Sequence, residues 1–158
     1  ILWSKASLPN YIVPIEKNKL ILSPSDFGFH NALYSKNKNL IFHDFEYFGW
    51  DDPVKLISDF SHHAAMNLTK EIEQLWFSGV SKIYGKYLLA RLQAAWPLYG
   101  LNWCLIILNE FKDEAWNRRR SADYSKSNLR DEHLAIQLAK SKNKLNELAL
   151  VYKNKHFW

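Results

Sequence analysis

The chain is poor in cysteine, and this scarcity excludes a disulfide framework. Cys104 is the only cysteine among 158 residues, so no intramolecular disulfide can form. A reducing, cytoplasmic setting is the corresponding expectation. Cys104 stands inside an apolar run at residues 98–108, where a free thiol typically packs as a small buried hydrophobe.

Long hydrophobic runs are missing as well. The apolar run at residues 98–108 is shorter than the roughly 20 residues that a membrane-spanning helix needs. No charged segment followed by an apolar core opens the chain, so the sequence shows no secretion signal. We therefore expect neither a membrane span nor export.

Acidic residues are outnumbered by basic ones, which gives a formal net charge of +5 and an isoelectric point near 9.2. Such a balance can indicate nucleic-acid binding. The basic residues, however, occur as Arg118-Arg119-Arg120 in a polar link and as lysines on a terminal helix, where a solvated face is typical. No interleaved aromatic residues for base stacking accompany them. We therefore do not expect a nucleic-acid partner.

One stretch, SPSDFGFHNALYSKNKNLIFHDFEYFGWDD at residues 23–52, carries the strongest functional signal. Asp26 and Asn31 fit the D-x-x-x-x-N spacing of a kinase catalytic loop, in which a carboxylate orients the acceptor hydroxyl and an amide holds magnesium. Asp44 is the candidate for a second magnesium-binding group. A hairpin predicted between Asn31 and Asp44, with strands at residues 32–34 and 40–42, returns Asp44 to the loop.

A literal D-F-G string at residues 26–28 offers another interpretation, because D-F-G is also the metal-binding motif of protein kinases. That motif requires an Asp and an Asn five residues apart farther upstream. Counting back five residues from either upstream asparagine, Asn18 or Asn10, does not reach an Asp. Asp26 therefore fits the catalytic-loop acid better.

These motifs resemble those of the aminoglycoside phosphotransferase and choline/ethanolamine kinase superfamily over roughly residues 18–112. The superfamily pattern is H-G-D-x-x-x-x-N, a hairpin, D-F-E-Y or D-W-E, then G-D-P and D-L. The corresponding segments are Pro24-Ser25-Asp26, Asn31, Asp44-Phe45-Glu46-Tyr47, Asp51-Asp52-Pro53 and Ser58-Asp59-Phe60. Two positions depart from the pattern: Pro24 stands where the superfamily has His, and His30 stands where Gly usually precedes the Asn.

The resemblance implies a predominantly α-helical α+β fold, namely a kinase-like C-terminal lobe with a small β-hairpin at the catalytic loop. It implies a catalytic role for Asp26 and binding of magnesium and ATP through Asn31 and Asp44. It also implies a structural brace at Asp59, on the helix that supports the loop. Glu46 has two open interpretations. It is either an acid that approaches the metal or a cationic substrate, or a solvated carboxylate at the end of a strand.

Glycine is scarce before the motif region, since none precedes Gly28. A whole kinase also needs a nucleotide-binding lobe with a phosphate-covering loop and a lysine. We therefore expect residues 1–158 to form a single domain without that N-terminal lobe, inactive by itself. The first residue, Ile1 rather than Met, suggests a piece of a longer protein. The implied partners are the missing lobe and a small-molecule hydroxyl acceptor.

Three functional interpretations remain open at this point. The first is an ATP-dependent phosphotransferase that acts on a hydroxyl of a small polar molecule. The second is a non-catalytic kinase-like binding module, which Pro24 favours. The third is a helical interaction domain with accidental motifs, which a wide separation of Asp26 and Asp44 favours.

The rest of the chain predicts helices by its apolar spacing. Their approximate ranges are 53–66, 69–77, 82–95, 98–111 and 129–152. Pro97 is expected to end or kink the third of them. Adjacent His62 and His63 on the first helix would point about 100° apart, so a shared metal is not expected there. His30 and His43 are expected to pack on the loop or hydrogen-bond to it.

Overall fold

The computed structural model describes residues 13–122 and 129–154. Contacts within the chain group into two compact units, and the described residues divide between them as 13–99 and 100–154. The prediction that residues 1–158 form one domain stays a prediction. The predominantly helical α+β architecture is confirmed, whereas its assignment to a kinase-like lobe remains a proposal.

Short strands and turns open the first unit. They are a 3-10 turn (Lys17–Lys19), β1 (Ile21–Ser23), a second 3-10 turn (Phe29–Asn31), β2 (Ala32–Tyr34), β3 (Leu40–Phe42) and β4 (Gly49–Asp51). The predicted hairpin is confirmed, because β2 pairs antiparallel with β3 and Ala32 lies opposite Phe42. β4, which the sequence analysis did not predict, pairs antiparallel with β1. This second ribbon brings both ends of the motif region together.

Helix α1 (Pro53–His62) begins with a side-chain cap and a proline at its first position. Asp52 Oδ1 accepts a hydrogen bond from Val54 N at 2.9 Å, and Asp52 Oδ2 accepts one from Arg91 Nε at 2.7 Å. The Asp52 and Arg91 side chains are both largely buried, so the ion pair is shielded from solvent. The single carboxylate of Asp52 thus caps α1 and ties it to the next helix.

Helix α2 (Lys70–Ile107) covers three of the predicted helices and consists of two helical segments that meet at a kink. It leaves helical geometry at Gly85, which takes φ 66° and ψ −166°. A positive φ of this kind suits glycine, which lacks a Cβ. The helix continues through Pro97, so it does not end there, and the alternative of a kink at Pro97 stays a prediction. The apolar core of the first unit includes Val54, Ile57, Phe60, Met66, Phe77, Leu88, Leu92, Ala95 and Trp96.

The second unit contains the end of α2, a 3-10 turn (Leu108–Phe111), α3 (Asp113–Ala122) and α4 (Arg130–Asn154). Helix α3 occupies the stretch that the sequence analysis assigned to a polar link. Arg119 Nε donates to Glu110 Oε2 at 2.9 Å, and this hydrogen bond lowers the pKa of Glu110. Burial raises the pKa of Cys104, which agrees with an unreactive packed thiol.

A membrane-spanning helix is not found in the part of the chain that the structure describes. No helix within residues 13–122 and 129–154 combines the necessary length and apolar character. This agrees with the expectation from the short apolar run at residues 98–108.

Candidate active site

The candidate site is built on the loop between β1 and β2. Ser25 takes φ 62°, a left-handed conformation that is uncommon for a residue with a Cβ. Ser25 N donates to Ser23 Oγ at 3.1 Å, which stabilises the turn just before Asp26. The 3-10 turn then closes with a hydrogen bond from Asn31 N to Gly28 O at 3.1 Å. Asp26 and Asn31 therefore belong to one tightly turned loop.

The Met66 side chain packs against this loop. Phe29 N donates to Met66 Sδ at 3.1 Å, and the methionine side chain is buried. A Cβ added to Gly28 would overlap Met66 Sδ and lie 2.8 Å from His30 Nδ1. Because the φ of Gly28 is 171°, which any residue can adopt, the glycine is required by space and not by conformation.

Asp26 and Asn31 lie within hydrogen-bond distance of each other. Asn31 Nδ2 donates to Asp26 O at 3.0 Å and lies 3.4 Å from Asp26 Oδ2. Because Nδ2 makes these contacts, the amide Oδ1 of Asn31 is the atom of this side chain left to bind a hard cation, which prefers oxygen ligands. The Asp26 side chain is 45% exposed, so a substrate can reach it.

Asp44 follows directly after a residue that is bonded to the loop. The main-chain N of His43 donates to Asn31 O at 3.0 Å, whereas the His43 side chain is exposed, so its expected packing or hydrogen bonding to the loop stays a prediction. Asp44 itself takes φ 67° and is exposed. The hairpin therefore returns Asp44 to the immediate neighbourhood of Asn31.

Tyr47 responds electrostatically to three acids of the loop and hairpin. A hydrogen bond to Glu46 and the negative charge of Glu46 raise the pKa of Tyr47, and the charges of Asp44 and Asp26 add to the effect. The phenol hydroxyl therefore lies within electrostatic reach of all three acids.

Lys55 of α1 connects the predicted brace, Asp59, to the loop. Its Nζ lies 3.1 Å from Asp59 Oδ2 and 3.6 Å from Asp51 Oδ2, and it donates to Ser25 Oγ at 3.0 Å. Asp59 thus reaches the residue beside Asp26 through Lys55. The sequence analysis missed Lys55, although its spacing of four residues from each of the two acids, Asp51 and Asp59, was a usable signal.

Two histidines also meet Asp26. His30 Nε2 lies 3.0 Å and His63 Nε2 lies 3.5 Å from Asp26 Oδ1. The contact of His30 with the loop was expected, whereas His63 was missed. The sequence analysis placed His63 inside a longer helix, but α1 ends at His62 and His63 takes an extended conformation with φ −58° and ψ 123°. His62 is buried, with Nε2 2.9 Å from Trp96 O.

The donor set of the loop and hairpin suits magnesium. Asn31 supplies an amide oxygen, and Asp44 and Glu46 supply exposed carboxylates. Oxygen ligands of this kind, completed by water and substrate phosphates, are those that magnesium prefers.

Comparisons of the chain with protein-family profiles, with curated proteins and with solved structures found no match in any of the three.

Proposed function

We propose that this chain is the catalytic-loop and acceptor-binding domain of an ATP-dependent phosphotransferase, whose acceptor is a hydroxyl group of a small polar molecule. One observation carries the proposal: Asn31 is hydrogen-bonded to Asp26 within one loop, and the main chain next to Asp44 is hydrogen-bonded to Asn31. A phosphoryl-transfer site needs such a compact group, with one base for the acceptor and separate oxygen ligands for the metal.

In the proposed reaction, Asp26 orients the acceptor hydroxyl and takes its proton. The hydroxyl oxygen forms a bond to the γ-phosphorus of ATP as the bond from that phosphorus to the β,γ-bridging oxygen breaks, and ADP leaves. Asn31 and Asp44, with Glu46 near them, would hold magnesium, which neutralises charge on the phosphates. Asp59 would brace the loop through Lys55.

Backbone strain supports the same assignment. Non-glycine residues with positive φ in the described part of the chain are Ser25, Lys38 and Asp44. Lys38 belongs to the hairpin turn, but Ser25 and Asp44 are at the site itself. Strained conformations of this kind, each costing on the order of 1 kcal/mol, concentrate where function requires a fixed geometry.

The decisive experiment replaces Asp26 by Asn in the longest protein that the gene encodes. Turnover of ATP with a panel of small hydroxyl compounds should fall by about 10²-fold or more, because the base and its charge are removed while size is kept. Asp131→Asn makes the same chemical change at an exposed position of α4 and should leave turnover unchanged.

A binding module without turnover is the second candidate, which Pro24 in place of the family histidine favours. If the unmodified protein phosphorylates no compound of the panel, this second candidate replaces the first. If Asp26→Asn retains full turnover, the catalytic role of Asp26 is wrong.

A further inference from the structure

The two histidine rings beside Asp26 form a stacked pair. Their centroids lie 3.8 Å apart with an interplanar angle of 12°, and both side chains are largely buried, at 15% exposed for His30 and 14% for His63. Both Nε2 atoms face the same carboxylate oxygen, Asp26 Oδ1. The pair comes from two separate segments, since His30 belongs to the loop and His63 follows the end of α1.

The hydrogen bonds of His63 determine where its proton lies. His63 Nδ1 accepts a hydrogen bond from Ala65 N at 3.1 Å. A ring nitrogen that accepts must be unprotonated, so the neutral ring carries its proton on Nε2. That proton faces Asp26 Oδ1 at a nitrogen-to-oxygen distance of 3.5 Å, which is long for a hydrogen bond but electrostatically favourable.

The surroundings of His30 lead to the same tautomer. His30 Nδ1 is buried and has no hydrogen-bond partner among the residues that the structure describes. A proton on Nδ1 would therefore be a buried donor without an acceptor, which is more costly than a bare lone pair. His30 Nε2, 3.0 Å from Asp26 Oδ1, is the nitrogen that can donate to the carboxylate.

A metal ion is the other ligand that these three residues suggest, because their candidate ligand atoms all lie within 4.8 Å of one another. The two measured distances to Asp26 Oδ1 are close to the ligand separations of about 3.3–3.5 Å in a tetrahedral zinc site. The orientation of the rings opposes it. An ion placed between two nearly parallel rings lies outside both ring planes, whereas imidazole binds metals in its plane.

The tautomers oppose a metal as well. A neutral histidine that binds metal through Nε2 carries its proton on Nδ1 and usually donates it to a supporting acceptor. In His63 that nitrogen already accepts from Ala65 N, and in His30 no acceptor for it is found within the described residues. The geometry therefore favours hydrogen bonding to Asp26 over metal binding.

We infer that His30 and His63 are positioning residues that together fix the Asp26 carboxylate as neutral imidazoles. His30 donates a hydrogen bond from Nε2 to Oδ1, and His63 directs its Nε2 proton at the same oxygen from 3.5 Å. Among the residues that the structure describes, Asn31 Nδ2 at 3.4 Å is the hydrogen-bond partner of Asp26 Oδ2, so this oxygen is the one that remains to take the acceptor proton. This catalytic consequence rests on the proposed function, but the hydrogen bonds do not. Ring stacking fixes the positions of the two donors relative to each other. This is important because a small displacement of a catalytic base lowers the reaction rate strongly.

The tautomers can be tested without knowing the substrate. Nitrogen-15 NMR of the histidine rings at neutral pH, with His30→Gln and His63→Gln for assignment, should show protonated Nε2 and unprotonated Nδ1 in both rings. The Nε2 protons should exchange slowly with solvent, and Asp26→Ala should accelerate their exchange about tenfold or more because their acceptor is removed. The ring of exposed His43 provides the control and should not respond.

A proton on Nδ1 of either ring, or exchange that Asp26→Ala does not change, would overturn the inference. Titration with zinc chloride distinguishes the positioning role from metal binding. Stoichiometric coordination by both rings would replace the positioning role with a metal site. If these signals agree with expectation while no acceptor is ever phosphorylated, the proposed function fails and the hydrogen-bond arrangement stands.

A matched pair of substitutions separates donation from packing. His63→Gln keeps an N–H donor at about the position of Nε2, whereas His63→Phe keeps the stacked ring and loses the donor. In the active full-length protein, kcat should fall about tenfold or more for His63→Phe with KM little changed, and His63→Gln should recover most of the loss. Equal losses in the two variants would assign His63 to packing alone and overturn its positioning role.

Discussion

At the scale of single residues, Tyr47 is the best reporter of the candidate site. Its pKa is raised because the neutral phenol donates to Glu46 and because ionisation would add a negative charge beside Glu46, Asp44 and Asp26. The effect requires the acids to be near one hydroxyl. A measurement on Tyr47 therefore tests the arrangement of the acids without substrate or metal.

We expect Glu46→Gln, Asp44→Asn and Asp26→Asn each to lower the pKa of Tyr47 towards its ordinary value of 10.0. Glu46→Gln should have the largest effect, because Glu46 provides both a hydrogen bond and the nearest charge. The measurement is an NMR titration of the labelled Tyr47 ring between pH 8 and about 12. Asp131→Asn, on α4, should cause no change. An unaltered pKa in Asp44→Asn would mean that Asp44 does not approach Tyr47.

The residues of the site differ in how readily the sequence indicates them. Asp26, Asn31 and Asp44 were predicted from spacing, because a loop and a hairpin are local structures whose geometry follows from neighbouring residues. His63 was not predicted, because its contact with Asp26 depends on where α1 ends. No local rule specifies a helix end to within one residue when the apolar spacing continues past it.

At the scale of elements, the close packing of the catalytic loop on Met66 should make the free energy of unfolding sensitive to substitutions in that loop. Gly28→Ala should lower the free energy of unfolding by about 1–3 kcal/mol, because the new Cβ must displace Met66 Sδ and His30 Nδ1. A Cβ added at Gly49, in β4, has no atom within 4 Å, so Gly49→Ala should change the free energy of unfolding by less than about 1 kcal/mol. Denaturant unfolding measures both.

Removing the obstructing side chain tests this explanation. If Met66 causes the clash, Gly28→Ala should cost less in a Met66→Ala background than in the unmodified chain, as a double-mutant cycle would show. Equal destabilisation by Gly28→Ala and Gly49→Ala would contradict the packing argument.

The elements themselves were predictable where contacts are local. The β2–β3 hairpin follows from two short apolar segments around a polar turn, and α4 follows from its leucine spacing. β4 was missed because three residues carry too little pattern and its partner, β1, is distant in sequence. Residues 98–108 form an apolar run, yet Leu101 and Leu105 are exposed. Apolar composition does not determine which face of a helix finds a partner.

At the scale of the whole molecule, every residue of the candidate site lies in the first unit, within residues 13–99. These residues present mostly negative charge to a nucleotide, since Asp26, Asp44 and Glu46 all act on Tyr47. Triphosphate binding needs donors and cations to offset that charge. In a kinase these come from a glycine-rich loop, a lysine and magnesium.

The chain of 158 residues should therefore bind ATP weakly when it is studied by itself. No glycine precedes Gly28, so the sequence before the motif region contains no glycine-rich phosphate-covering loop. Calorimetric titration with ATP and excess magnesium should give a dissociation constant weaker than about 100 μM, or less than about 5.5 kcal/mol of binding free energy, with negligible ADP release. Asp44→Asn should weaken even this binding, because it removes a magnesium-binding carboxylate. A low-micromolar constant would show that these residues bind the triphosphate unaided, and a constant unchanged by Asp44→Asn would mean that the weak binding occurs elsewhere on the chain.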